Sequence, residues 1–139
     1  MKRITSVAVA SGLVLCLAGT AEAVTQDQFY LHSTGDLAAL CSASTSDPLY
    51  TAAINFCHGF GVGTYGVLAA MQQADPKLQL FCPPAGITRN EAVAAFVSWA
   101  RADPAHAAMP ATDGVTAFLT QTYPCSGATK AVPGPRRTP

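Results

Sequence analysis

An all-α domain of four helices, closed by two intramolecular disulfides, is the fold the sequence predicts. Three observations carry that expectation. Apolar residues recur at helical spacing in several windows, whereas no stretch shows the strict alternation of a strand. Capping residues, prolines and glycines mark starts and stops between those windows. Four of the five cysteines stand at Cys41, Cys57, Cys82 and Cys125, spread across the same stretch as the helices. The chain has 139 residues, which suits one small domain. Half of them are hydrophobic, enough to argue against a disordered chain. Lys+Arg and Asp+Glu number eight each, so the formal net charge is zero. A nucleic-acid binder needs a basic face to neutralise phosphates, and this balance argues against one.

The first 23 residues read as an export signal rather than as fold. Met1-Lys2-Arg3 is a short basic start, an apolar run follows from about Val7 to Ala18, and Ala21-Glu22-Ala23 supplies small residues at a cleavage site. The apolar run is shorter than the roughly 20 residues that span a bilayer, so cleavage after Ala23 is favoured over anchoring. Cys16 follows Leu15 where a lipoprotein signal wants a small residue, which argues against lipidation. With 1–23 removed, Lys2, Arg3 and Glu22 leave. The segment 24–125 then holds only Lys77, Arg89 and Arg101 against seven acidic residues. No membrane span remains, and the mature protein is expected to be soluble outside the cytoplasm.

Export gives the cysteines their meaning. Four cysteines in an exported domain of this size read as two disulfides. A tetrahedral zinc site usually shows close ligand pairs, and here the nearest two cysteines are 16 positions apart. Haem attachment needs C-x-x-C-H, and Ile54 stands where the first cysteine of Cys57-His58 belongs.

The elements follow in order. Residues 24–33 form a short polar lead. Thr34 is placed to cap a brief helix over Asp36 to Cys41, with Asp36 in the first turn. A polar connector, 42–47, leads to Pro48, which suits the first turn of a long helix reaching about Gln73. Asp75-Pro76 ends it. Residues 76–87 are irregular, with Pro83, Pro84 and Gly86. Thr88-Arg89-Asn90-Glu91 fits a capping box, in which Thr88 caps and Glu91 reaches back. Val93, Phe96, Val97 and Ala100 continue that helix to Asp103-Pro104. Pro110 opens a last helix to about Tyr123, and Pro124-Cys125 closes the domain. The tail, 126–139, is rich in Pro and Gly, carries Lys130, Arg136 and Arg137, and is expected to be disordered.

The short link between the third and fourth helices makes them antiparallel. That brings Cys82, before the third, near Cys125, after the fourth, and leaves Cys41–Cys57 as the other bond. This is the preferred one of three possible pairings.

Gly61-Val62-Gly63-Thr64-Tyr65-Gly66 matches G-x-G-x-x-G, yet no strand precedes it and it falls inside a helix, so a dinucleotide site is not expected. Gly59, Gly63, Gly66 and Ala70 instead share one helical face, which predicts close packing against another backbone. His32, His58 and His106 lack ligand-like spacing. Cys57 and His58 are adjacent on a helix and point about 100° apart, so they do not pair for catalysis. No G-x-S-x-G elbow occurs, and capping accounts for Glu91. Trp99 and Tyr123 read as core or rim aromatics. No catalytic constellation emerges, no cofactor or metal is implied, and no enzyme is expected.

The order of short motifs is informative. Gly35-Asp36-Leu37-x-x-Leu40-Cys41 is followed by Phe56-Cys57-x-Gly59-Phe60-x-x-Gly63, then Phe81-Cys82-x-Pro84-x-Gly86-Ile87-Thr88, a helix ending at Pro104, and Tyr123-Pro124-Cys125. This resembles the Rap/Tai immunity-protein family of Gram-negative bacteria over about 35–125, where the elements read roughly LLxxC, YCxGYxxG, CxPxGVT and FPC. The resemblance implies a small periplasmic helical protein with intramolecular disulfides, whose characterised relatives block peptidoglycan amidase effectors delivered by type VI secretion. Some members form dimers. By position, Cys41, Cys57, Cys82 and Cys125 fall on the family cysteines, and Gly59, Gly63, Pro84, Gly86 and Pro124 on structural positions. The basic tail departs from the pattern.

The expected function is therefore a periplasmic inhibitor that plugs a cell-wall amidase by steric occlusion, with loops 42–47 and 74–87 as candidate contact segments. The alternative is a chaperone-like or stress-related periplasmic binding protein without enzymatic activity. A pH-driven chaperone has few groups to drive it here, since Glu91 is the only mature Glu and there are three His.

Overall fold

The computed structural model describes residues 23–75 and 77–125. The fold is all-α, with no strand among the described residues. A 3-10 turn at Asp27–Tyr30 leads to α1 (Thr34–Cys41), α2 (Tyr50–Ala74), α3 (Arg89–Ala102), the single turn α4 (Pro104–Ala107) and α5 (Ala111–Thr122). The four main helices are the four the sequence predicts. The 3-10 turn and α4 are additions. α4 exists because the Asp103 carboxylate accepts the Ala105 N–H at 2.8 Å and Pro104 occupies the first helical position. What reads in sequence as a stop is both the end of α3 and the cap of the next turn.

α1 is the hub. It touches the 3-10 turn and every other helix. Leu37, Ala38, Leu40 and Cys41 are buried on different sides of it, as befits a helix enclosed on several faces. Its cap lies one position earlier than the sequence suggests. Ser33 accepts the Asp36 N–H, and the Asp36 carboxylate accepts the Ser33 N–H at 2.9 Å, a reciprocal box. Thr34, read as the cap, is instead fully buried inside the helix. Its hydroxyl donates to the Met109 and Pro110 carbonyls at 3.0 and 3.2 Å, and its N–H donates to Met109 O at 2.7 Å. A long-range partner thus outcompetes the local one.

The main core joins Leu37, Cys57, Phe81, Phe96, Phe118 and Leu119. A smaller cluster of Val24, Leu40 and Ala53 lies under Phe29 and Leu49. Two disulfides tie the helices, Cys41–Cys57 between α1 and α2 and Cys82–Cys125 across the start of α3 and the end of α5. These are the pairs that the helix order favours. Beside the second bond, Cys82 N–H donates to Tyr123 O at 2.7 Å. Gly114 of α5 lies directly over Thr34. A Cβ there would stand 1.9 Å from the threonine hydroxyl oxygen, so only glycine lets α5 come this close to α1.

The expected packing of Gly59, Gly63 and Gly66 against another backbone is not made among the described residues. A Cβ built on any of them meets nothing within 4 Å. The reason is topological: α1 and α5 meet α2 on its opposite side, where Ala53 and Cys57 are buried. The expected leader (all but Ala23) and the expected tail lie outside the described residues.

Candidate functional site

α2 is the least ordinary element of the surface. Its 25 residues include no Asp, Glu, Lys or Arg. Five of the six large hydrophobic side chains most exposed in the described structure lie on it: Phe56, Val62, Tyr65, Val67 and Met71. The solvent-facing stripe between them is made of Gly59, Gly63, Gly66 and Ala70, all exposed. No described helix is long and apolar enough to cross a membrane. This face is therefore an apolar surface on a helix that otherwise packs into a globular core.

An apolar cleft of about 280 Å³ opens beside it. α2 contributes His58, Gly61, Val62 and Tyr65 to one wall. Ile87, Arg89 and Val93 form part of the other, with Phe96, Phe118 and Leu119 reaching it from the core. The far wall is held by local chemistry. Ile87 N–H reaches back to Pro84 O, and Gly86 between them has φ of 86°, the left-handed conformation that favours glycine. The Thr88 side chain accepts the Glu91 N–H, and the Glu91 carboxylate accepts the Thr88 N–H at 2.8 Å. Those bonds, first from the backbone of Thr88 and then from its hydroxyl, hold the Glu91 carboxyl below its ordinary value. Burial, with a smaller contribution from Glu91, pushes the Tyr123 phenol up.

The loop after α2 is tied down by Gln72. Its side-chain oxygen accepts the N–H groups of Leu80 and Phe81 at 2.6 and 2.8 Å, and its nitrogen donates to Phe81 O. Phe81 is thereby buried and packs on Tyr65, with ring centroids 5.3 Å apart. Gln72 carries no motif, and its role was not visible in the sequence. Of the two candidate contact loops, 74–87 reaches the cleft through Pro83 and Ile87. The 42–47 loop does not border it. Ser42 instead accepts a bond from Arg101, and Asp47 binds Val24.

The remaining chemistry-bearing residues are dispersed. Cys57 is held in its disulfide, while His58 lines the cleft. His106 stacks on Trp99 at 3.9 Å and bonds its backbone oxygen at 2.9 Å. Trp99 Nε1 donates to Gln121. No group of three His, Cys, Asp or Glu among the described residues is placed to hold a metal ion. Gly61 to Gly66 run through the middle of α2. What the arrangement offers is a surface for contact, built from an uncharged helix face, an apolar cleft and a loop pinned between them.

The model of the Rap1a immunity proteins matches residues 33–125, from the cap of α1 to the last disulfide cysteine. The chain belongs to the Rap1a immunity protein family. No curated protein and no solved structure matches it. The family match covers both disulfides, the whole of α2 and both walls of the cleft. An immunity protein acts by binding a protein effector.

Proposed function

We propose that this chain is a periplasmic immunity protein that binds a secreted peptidoglycan amidase and inhibits it by steric occlusion. The family match over 33–125 carries this reading. The contact surface is the open face of α2 with the adjoining cleft, and loop 83–87 forms its rim. Val62 and Tyr65 stand where face and cleft meet. The disulfides support the reading, since such bonds persist in oxidising compartments. They also hold the surface in one shape before binding, which reduces the ordering cost of association. In this reading residues 1–23 direct export and are removed after Ala23, and 126–139 form a separate basic tail.

The test mixes oxidised mature protein with candidate secreted amidases and measures complex formation and peptidoglycan cleavage. A one-to-one or two-to-two complex that abolishes cleavage is expected. Val62→Asp weakens it at least tenfold if the proposed face is the contact, because a carboxylate would be buried there without a partner. Failure to bind any cell-wall hydrolase, with the fold intact, overturns the inhibitor reading.

A second reading of the same face is a homodimer. The observation that favours it is the absence of charge along α2, which lets two identical faces meet without like-charge repulsion. Sedimentation of the free protein separates the two readings. A dimer dispersed by Gly63→Leu supports self-association, while a monomer at high micromolar concentration overturns it.

A further inference from the structure

Val24 is the first residue of the described chain to enter the core. Val24 is 8% exposed and packs with Leu40 and Ala53, whereas Ala23 before it is exposed. The Val24 backbone nitrogen donates to Asp47 Oδ2 at 2.7 Å. The other carboxylate oxygen accepts the Leu49 N–H, also at 2.7 Å, and the Asp47 carbonyl accepts the Tyr50 N–H at the start of α2. Among the described residues no cationic side chain lies within ion-pair distance of Asp47; the ion pair found there is His32–Asp27. Asp47 is therefore a carboxylate with one oxygen held by the nearby Leu49 N–H and the other aimed at a backbone nitrogen 23 residues earlier.

We propose that Asp47 is a built-in receptor for the amino terminus that processing creates at Val24. The proposal rests on the reading of 1–23 as a removable leader. A leader peptidase hydrolyses the Ala23–Val24 bond with one water. The C–N bond breaks, the water oxygen joins the Ala23 carbonyl carbon as a carboxylate, and the nitrogen of Val24 leaves as an ammonium carrying the protons. A neutral N–H facing a carboxylate thereby becomes a charged one at the same place. The 2.7 Å separation already falls in the range of charge-assisted bonds. The new N–H bonds replace the link to exposed Ala23, so water can solvate them and the charge is not stranded. Capture ties the first mature residue to the turn that starts α2. Chains that keep their leader lack this ion pair, and they also lack disulfides in a reducing compartment. Both locks on this end of the fold are completed only after export.

The decisive experiment compares chains starting at Val24 with a free amine or an Nα-acetyl group. Native chemical ligation at Cys41 provides both. The acetyl group restores a single amide N–H, as in the unprocessed chain, and removes the charge. The free amine is expected to lower the unfolding equilibrium constant about five- to tenfold, a gain that shrinks in high salt. In an Asp47→Asn background the difference falls below twofold. Equal stability of amine and acetyl forms with Asp47 present overturns the capture, and that comparison needs no side-chain variant to fold. Intact mass of the exported protein tests the leader reading separately. A start elsewhere than Val24 overturns processing at this bond, whatever the ligated chains show. A start at Val24 with no amine effect overturns the capture alone.

Discussion

Gly114 on α5 and the glycines of α2 teach opposite lessons from the same residue. Glycine inside a helix costs about 1 kcal/mol relative to alanine. At Gly114 the compensation is visible, because the missing side chain admits Thr34 and lets α5 close on α1. At Gly59, Gly61, Gly63 and Gly66 nothing among the described residues comes within 4 Å of the place a side chain would take. A helical glycine signals close approach, but only the fold says whether the approaching group belongs to the same chain. The region around α1 and α5 is closed on itself. The outer face of α2 is open, and the proposed function fills it from outside.

The sharpest test of the closed region is its covalent closure. Cys82–Cys125 encloses a separation of 43 residues and Cys41–Cys57 one of 16. Replacing the first pair by alanine is expected to lower the unfolding free energy by about 4 kcal/mol, and the second by about 3, if loop closure governs. Denaturant titration of the two double variants checks the order. A reversed order would mean that structure kept in the unfolded chain matters more than loop length. Next comes Gly114→Ala. The added methyl overlaps Thr34, and a loss of about 2 kcal/mol is expected by calorimetry. Gly63→Ala should move the other way, raising stability by about 1 kcal/mol, since the methyl meets no neighbour and the helix gains propensity. If both glycine variants lose stability alike, the contrast between closed and open faces fails.

The smallest expected effect is a pH dependence at the rim of the cleft. Glu91 is fully exposed, and its folded pKa lies below the ordinary 4.5. Its contribution is therefore complete above that value and is lost as pH falls through the lower folded value. Thermal unfolding across this window should show a small acid-side loss that Glu91→Gln abolishes. Tyr123 acts at the other end of the scale. Its phenol is raised above 10.0, so its contribution holds below that pH and is lost as pH rises through the folded value.

How much was legible depended on the range of the interaction. The capping box at Thr88 and Glu91 spans three residues and is readable because both partners are local. The cap of α1 was misplaced by one residue because Thr34 answers to carbonyls 75 and 76 positions away. Gln72 carries no motif, yet it organises the loop that buries Phe81, because its partners Leu80 and Phe81 lie beyond the end of its helix. The cleft was not legible at all, since its walls come from segments around His58, Val93 and Leu119 that meet only in the fold.

The sequence by itself determined the four main helices, the cysteine set and the family motifs. These depend on periodicity, capping and short spacings, whose energies are set by neighbours along the chain. The tertiary structure alone decided which glycines face a backbone and which face solvent. It also decided that Asp47 meets Val24 and that α2 keeps one side uncovered. Those outcomes depend on which elements pack together, and the side α1 and α5 take on α2 leaves the other side without a partner among the described residues.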